Sequence, residues 1–161
     1  MFVSCIQSLK HCITVSCIIV DDEAIAREII ATHLSKIDNI EVAAQCKNAI
    51  EAFNFTSNNT VDLVFLDIEM PKEKGLELFK YFDNIDFEVI FTTAYDQYAI
   101  DALRLSALDY LLKPIDLKDL RTALDNYRGK KHQTYMNQAL RYQFASEQQT
   151  TQSKRIVLPN A

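Results

Sequence analysis

Five ionisable or hydroxyl side chains stand at the ends of apolar runs in this sequence. They are Asp21 and Asp22 after one run, Asp67 after another, Thr93 at the end of a third and Lys113 at the end of a fourth. Three carboxylates brought close together repel one another and raise their pKa values unless a cation neutralises them. A site rich in oxygen and free of sulfur suits Mg²⁺, which keeps several waters and readily shares phosphoryl oxygens.

A carboxylate, an ammonium group and a hydroxyl beside Mg²⁺ could stabilise a phosphoryl group in transfer. Asp67 follows the third of five apolar runs, so we expect it in the middle of a sheet and assign it as the nucleophile, with Lys113 and Thr93 balancing the developing charge. One aspartate after a strand is more often a helix cap or turn residue. Asp21 and Asp22 could cap a helix and bind metal at once.

Apolar runs alternate with segments of helical periodicity along the chain. The runs are Cys17 to Val20, Ile40 to Cys46, Val61 to Leu66, Phe87 to Thr92 and Leu108 to Leu112. The first, third and fifth are almost continuously apolar, as is typical of strands covered on both faces. The helical segments are Ala24 to Ile37, Ala49 to Phe55, Leu76 to Phe82, Tyr95 to Leu105 and Leu117 to Tyr127.

This alternation predicts an α/β fold, a doubly wound parallel sheet with right-handed crossovers and helices on both faces. Functional groups collect at the carboxyl ends of the strands in such folds, which is where the five chemical side chains fall. The first helical segment places a set of residues on one face at helical spacing, namely Ile25, Ile29, Ile30, His33 and Leu34.

Length and composition indicate one well-buried domain. The chain has 161 residues, 48% of them hydrophobic, which is enough for one core and too few for two. Residues 1 to 128 hold 21 acidic and 12 basic side chains, whereas residues 129 to 161 hold one acidic and five basic. An acidic body argues against nonspecific binding of nucleic acid, since that affinity comes from basic side chains.

The cysteine pattern and the hydropathy bear on the compartment. Four cysteines without a Cys-x-x-Cys pair make a thiolate metal site a poor explanation and favour a reducing cytoplasm. No stretch of the sequence approaches the roughly 20 apolar residues of a membrane span. We therefore expect a cytoplasmic protein with no membrane partner.

Four short motifs of the sequence resemble those of a known family. "IIVDDE", "LVFLDIEMP" with Gly75 four residues beyond the proline, "VIFTTAYD" and "LDYLLKPI" are similar to the receiver domain of two-component response regulators. The resemblance covers residues 16 to 128 in the correct order. It implies a flavodoxin-like five-stranded parallel sheet with strand order 2-1-3-4-5, and a phosphoryl group accepted from a histidine kinase.

The resemblance also implies a role for each site residue. Asp67 would accept the phosphoryl group. Asp22 and Asp67 would ligate Mg²⁺ directly together with the backbone carbonyl of Glu69, and Asp21 would help through water. Lys113 would pair with the phosphoryl group, and a cis bond between Lys113 and Pro114 would aim the lysine into the site.

Further residues would report or tune the reaction. Thr93 would be the switch hydroxyl that moves to the phosphoryl oxygen, and Tyr110 the aromatic that turns inward behind it. The face from Tyr95 to Tyr127, made of the fourth helix, fifth strand and fifth helix, would change and form a homodimer on phosphorylation. Glu69 and Tyr95 occupy the two tuning positions, and their bulk predicts slow autodephosphorylation.

The two ends of the chain lie outside the receiver pattern. Residues 1 to 15 precede the expected start of the domain, and Val15 stands where an initiator is expected, so we interpret them as an extension or a misplaced gene start. Gly129 is expected to close the last helix, and the polar, glutamine-rich residues 129 to 153 read as a linker that is partly helical at best.

Residues 154 to 161, which include "RIVLP", look like the beginning of a truncated LytTR-type DNA-binding domain. The resemblance here is to regulators in which such a domain follows the receiver and a linker. Eight residues cannot fold or read bases, so we expect DNA binding only through the missing C-terminal domain.

Three other functions make different demands on the sequence. An aspartyl-phosphate hydrolase would carry an aspartate two residues after the nucleophile, where this chain has Glu69. A nucleotide- or flavin-binding protein would need a glycine-rich loop, and the chain has only Gly75 and Gly129. An atypical receiver that works as a phosphorylation-independent protein-binding adaptor is the alternative left open.

Overall fold

The structure is a computed structural model, and it describes residues 14–71, 75–95 and 107–153. Its five strands are β1 (Val15–Val20), β2 (Ile40–Cys46), β3 (Leu63–Asp67), β4 (Glu88–Thr93) and β5 (Asp109–Leu112). Three α-helices are described, α1 (Ala24–Leu34), α2 (Ala49–Asn58) and α3 (Leu117–Ser153), together with a 3-10 helix at Gly75–Tyr81. The contacts divide the chain into two units, Met1–Leu124 and Asp125–Ala161.

The five strands form one parallel sheet in the order β2-β1-β3-β4-β5. This confirms the predicted doubly wound, flavodoxin-like fold. β1 and β3 lie side by side in the centre, with Val20 opposite Leu66, and β3 pairs with β4 so that Asp67 lies opposite Thr92. The carboxyl ends of β1, β3 and β4 therefore meet at one edge, because the strands run in the same direction.

Burial along the strands follows their place in the sheet. All five residues of β3 are buried, whereas exposed and partly buried residues alternate along most of the outer strand β2. β1 and β3 are covered on both faces, as their apolar runs predicted. The same prediction for the fifth run is wrong, because β5 lies at an edge of the sheet and only Leu111 on it is buried. The core beneath the site includes the fully buried Phe65 and Phe91.

The first helix buries fewer of its apolar residues than its periodicity suggested. Ile30 and Leu34 are buried, but the side chain of Ile25 is 75% exposed and that of Ile29 is 43% exposed. One helix face can touch the sheet only along a narrow stripe. Ile25 and Ile29 lie at the edge of that stripe, beside the carboxyl ends of the strands.

The segment after β3 is a 3-10 helix, Gly75–Tyr81, where helical periodicity predicted Leu76 to Phe82. Gly75 donates its N–H to the carbonyl of Ile68 at 2.9 Å, so this helix begins directly against the end of β3. A β-carbon on Gly75 would stand 1.8 Å from the backbone oxygen of Asp67. Only glycine permits this close approach.

The last helix is longer than predicted. We expected it to end near Gly129 and residues 129 to 153 to form a linker, but α3 runs without a break from Leu117 to Ser153. Gly129 has no positive φ, so it does not adopt the left-handed conformation with which glycine commonly ends helices. Glycine lowers helix propensity without forbidding a helix, and the polar residues that follow are mostly adequate helix formers.

Several predictions fall on residues outside the described ranges. The extension up to residue 13, the fourth predicted helix from residue 96 to 105 and the terminal segment 154–161 are among them. Within the described ranges, no helix combines the length and the apolar character that a membrane crossing requires.

Candidate functional site

Three carboxylates converge at the carboxyl edge of the sheet. Asp21 and Asp22 directly follow β1, and Asp67 is the last residue of β3. Each of these residues offers a carboxylate oxygen, and the three oxygens lie within 4.8 Å of one another. Adjacent parallel strands that end at the same level bring about this convergence, so the sequence prediction that they would meet is matched by the geometry.

Lys113 joins the carboxylates from the end of β5. Its Nζ lies 2.6 Å from Oδ2 of Asp21 and 3.4 Å from Oδ2 of Asp67. Asp21 is fully buried and Asp67 is 4% exposed, so these ion pairs are shielded from water. The peptide bond between Lys113 and Pro114 is cis, which confirms that prediction.

Burial shifts the pKa values of Asp67 and Lys113. Burial raises the pKa of Asp67 from its usual 3.8 to about 6, because the Lys113 ammonium, which lowers it, does not fully offset desolvation and the nearby Asp21 carboxylate. Burial lowers the pKa of Lys113, but its hydrogen bond to Asp21 and the charge of Asp67 outweigh that effect and hold the pKa above its ordinary value. One ammonium group thus undercompensates the acidic cluster.

The cluster has the donor chemistry of a hard divalent cation. Its three carboxylates supply only oxygen ligands, which suit Mg²⁺, Ca²⁺ or Mn²⁺ better than softer metals. Oδ1 of Asp21 accepts the N–H of Glu23 at 2.9 Å. Oδ2 of Asp21 is buried and pairs with the Lys113 ammonium at 2.6 Å. Three carboxylates beside one ammonium group carry negative charge that a bound cation would balance.

Hydrogen bonds connect Thr93, Tyr95 and Tyr110 next to the cluster. Thr93 is fully buried at the end of β4, and its Oγ1 accepts the backbone N–H of Tyr95 at 3.2 Å. The hydroxyl of Tyr110 donates to the carbonyl oxygen of Tyr95. The backbone N–H of Lys113 donates to the carbonyl of Thr93 at 2.8 Å, which ties β4 to the lysine.

The two predicted tuning residues lie at the open side of the site. The Glu69 side chain is exposed, and its backbone N–H approaches Oδ1 of Asp67 at 3.4 Å. Tyr95 is 50% exposed. Both residues line the pocket of about 520 Å³ into which Asp67 and Lys113 open. Its other wall is apolar and comes mainly from α1 and the start of the β5–α3 loop, with Ile25, Ala26, Ile29, Ile30, Pro114 and Ile115.

Arg27 and Gly75 have a place at the site that the sequence prediction did not give them. Arg27 donates from Nη1 to the backbone carbonyls of Asp21 and Asp22, at 2.6 Å and 3.3 Å. A signal for it existed, since a cation in the first turn of a helix opposes the helix dipole and calls for a specific partner. Gly75 touches the backbone of Asp67, a contact that no local pattern encodes.

Comparisons with known proteins identify the family to which this chain is similar. A profile of the response regulator receiver domain matches residues 17–125. An uncharacterised response regulatory protein of Shewanella oneidensis is 44% identical over 115 residues, which are 71% of this chain and 49% of that protein. The transcriptional regulatory protein BtsR of Escherichia coli K12 is 40% identical over 115 residues, 71% of this chain and 48% of BtsR. The chain thus spans about half the length of these relatives.

Solved structures of isolated domains are similar over most of the chain. The REC domain of AraT, a response regulator from Geobacillus stearothermophilus, is 35% identical with a TM-score of 0.65, covering 76% of this chain and 99% of that domain. The response regulatory domain of mrkE from Klebsiella pneumoniae is 27% identical with a TM-score of 0.66, covering 73% of this chain and 98% of that domain. The similarity therefore extends over one whole domain of each.

Proposed function

The chain belongs to the response regulator receiver domain family, and from this premise we propose that it takes a phosphoryl group from a sensor histidine kinase onto Asp67. The observation that carries the proposal is the meeting of Asp21, Asp22 and Asp67 with Lys113 at the carboxyl edge of the sheet. A buried carboxylate between a second acid and an ammonium group can act as a nucleophile toward phosphorus. The pocket beside it admits a donor.

The reaction transfers one phosphoryl group between two side chains. An Oδ of Asp67 attacks the phosphorus, the P–N bond of the donor phosphohistidine breaks, and the imidazole leaves with the bonding electrons and takes up a proton. Attack requires ionised Asp67, and Lys113 favours that form through its positive charge. Lys113 then pairs with the new phosphoryl oxygens, since it already lies 3.4 Å from Asp67.

Mg²⁺ is the cofactor that we propose for the acidic cluster. Asp22 and Asp67 would hold it directly, with the backbone carbonyl of Glu69, and Asp21 would hold it through water. When bound it would neutralise charge on the phosphoryl oxygens and offset the repulsion among the three carboxylates. The oxygen-only donor set of the cluster supports this assignment.

The output is a shift between two conformations. The Thr93 hydroxyl would leave the N–H of Tyr95 for a phosphoryl oxygen, and Tyr110 would follow because its hydroxyl bonds the same Tyr95 peptide group. The face that the sequence predicted between Tyr95 and Tyr127 would then change and favour a homodimer.

The parent protein would be a cytoplasmic transcription regulator. The relative BtsR is named a transcriptional regulatory protein, and its extra length leaves room for an output domain, for which we propose a LytTR-type DNA-binding domain. Cys17 and Cys46 are buried free thiols, which suits a reducing compartment.

Phosphorylated Asp67 should lose its phosphoryl group slowly. Glu69 and Tyr95 border the opening above Asp67, where their side chains obstruct an attacking water. We expect a half-life on the order of minutes or longer, followed by intact mass after removal of the donor. Glu69→Ala and Tyr95→Ala should shorten it. A half-life of seconds in the unaltered protein would contradict this prediction.

The decisive experiment is phosphorylation by a small donor. The protein is incubated with Mg²⁺ and acetyl phosphate, and intact mass is measured for the wild type and for Asp67→Asn. We expect a gain of one phosphoryl group in the wild type alone. If neither protein gains mass and beryllofluoride does not bind, the chain is the phosphorylation-independent adaptor instead.

A further inference from the structure

Arg27 holds the backbone of the two acidic residues that follow β1. Its Nη1 lies 2.6 Å from the carbonyl oxygen of Asp21 and 3.3 Å from that of Asp22. These are successive peptide groups, so one guanidinium nitrogen fixes the orientation of both. A guanidinium group is planar and always charged, and its hydrogen bonds to carbonyl oxygens are stronger than those of a neutral donor.

The turn that Arg27 holds has little other side-chain support. Glu23 is the N-cap residue of α1, and its side chain makes no capping hydrogen bond. Oδ1 of Asp21 accepts the N–H of Glu23, so this bond supports the turn before the helix and is not a helix cap. The carboxylate of Asp21 thus holds one end of the turn, and Arg27 reaches back from the first turn of α1 to hold its carbonyls.

The position of Arg27 is unfavourable in other respects. A cation in the first turn of a helix opposes the helix dipole. Nε of Arg27 is buried, and the described part of the chain offers it no hydrogen-bond partner. Burial without a partner is costly. Arg27 also interacts electrostatically with Glu51, but the contacts of its Nη1 are the ones that reach the turn before α1.

We propose that Arg27 is a positioning residue for the cation site. By holding the carbonyls of Asp21 and Asp22 on the α1 side of the turn, it leaves both carboxylates directed toward Asp67, where the three come within 4.8 Å. The inference rests on the proposed function, because it assumes that this cluster binds Mg²⁺. It adds a residue that touches neither the cation nor the phosphoryl group.

The test is direct binding of Mg²⁺ by titration calorimetry, with Mn²⁺ and its electron paramagnetic resonance signal as a second probe. Arg27→Ala should weaken Mg²⁺ binding about tenfold, at the lower end of the effect of residues that orient metal ligands. Arg27→Lys should recover only part of the affinity, because an ammonium is a compact point charge on a differently shaped stem. Thermal unfolding measured in parallel shows that each variant is folded at the titration temperature.

Arg121→Ala is the matched control. Its guanidinium also donates to a backbone carbonyl, that of Lys36 at 3.3 Å, but away from the acidic cluster. We expect unchanged Mg²⁺ affinity. Equal weakening by Arg121→Ala and Arg27→Ala would make the effect general and overturn the inference.

The outcomes also separate this inference from the proposed function. Binding of Mg²⁺ by the wild type with unchanged affinity in Arg27→Ala overturns the role of Arg27 and leaves the receiver function intact. A wild type that binds neither Mg²⁺ nor Mn²⁺ overturns both. At saturating Mg²⁺, phosphorylation of Arg27→Ala by acetyl phosphate should return close to the wild-type level, because its carboxylates and Lys113 are all present.

Discussion

At the level of single side chains, the site depends on the balance of charge around Asp67. Two buried acids share one ammonium group, with Lys113 closer to Asp21 than to Asp67. Asp67 consequently retains a raised pKa, about 6. In this state the carboxylate that we propose as the nucleophile ionises only near neutral pH, and a bound divalent cation would complete its ionisation.

A pH-dependent cost to stability follows from that pKa. The folded protein holds the Asp67 proton up to about pH 6, whereas the unfolded chain releases it near the usual 3.8. The native state therefore binds more protons between these values, and the free energy of unfolding falls as pH rises through them, by about 3 kcal/mol in total. Asp67→Asn lacks this titration, so in EDTA its stability relative to the wild type should increase from pH 4 to pH 7.

Urea unfolding at four pH values in this range, followed by circular dichroism, measures the effect. Asp125→Asn, which removes a carboxylate that is 77% exposed and outside the acidic cluster, is the matched control. Saturating Mg²⁺ should flatten the wild-type profile, because the cation favours ionised Asp67. A constant difference between wild type and Asp67→Asn in EDTA would contradict the raised pKa.

Among the structural elements, the 3-10 helix begins directly against the end of the central strand β3. A methyl group at Gly75 would lie 1.8 Å from the backbone oxygen of Asp67, and the oxygen belongs to a central strand that cannot yield. Gly75→Ala should therefore push the 3-10 helix from the end of β3 and cost about 2 kcal/mol or more of stability. Chemical unfolding measures the loss, and stability equal to wild type would contradict the contact.

Because α3 continues past Gly129, we predict that an alanine stabilises the protein at this second glycine, the opposite of its effect at Gly75. Nothing lies within 4 Å of a β-carbon at Gly129, and its backbone conformation is helical. Gly129→Ala should therefore strengthen the helix by about 0.5–1 kcal/mol and increase the circular dichroism signal at 222 nm. Ala139→Gly, at an exposed position of the same helix, should lower it. A loss of helical signal in Gly129→Ala would show that the helix ends at this glycine.

For the whole protein, the expected consequence of phosphorylation is self-association. β5 is one of the two edge strands of the sheet, and Leu112 on it is 46% exposed, so an apolar side chain is available on the surface that we expect to change. Beryllofluoride with Mg²⁺ should shift the sedimentation coefficient from monomer toward dimer in the wild type. Asp67→Asn should remain unshifted.

Leu112→Glu tests whether this surface forms the dimer. Its side chain is exposed on the edge strand, and we give it no part in phosphoryl transfer. The variant should still gain a phosphoryl group from acetyl phosphate while its dimerisation weakens. Dimerisation equal to that of the wild type would exclude a dimer through Leu112.

Much of the fold and of the candidate site follows from local patterns. Continuous apolar runs predicted that β1, β3 and β5 are covered on both faces, which is right for β1 and β3 and wrong for the edge strand β5. Chain direction alone places Asp21, Asp22 and Asp67 at the same edge of a parallel sheet. These features are encoded in short segments, so a reading of the chain suffices to predict them. The length of α3 was mispredicted, because a glycine permits a helix end without requiring one.

Other features depend on distances between segments that are far apart in the chain. The contact of Gly75 with the backbone of Asp67 exists only because the 3-10 helix begins against β3. The exposure of Ile25 and Ile29 is set by which stripe of α1 meets the sheet. The pKa of Asp67 reflects its burial together with Lys113, 46 positions further on. Residue types and spacing determined which groups meet, whereas packing determined their burial, distances and charge balance, since these are properties of the assembled sheet.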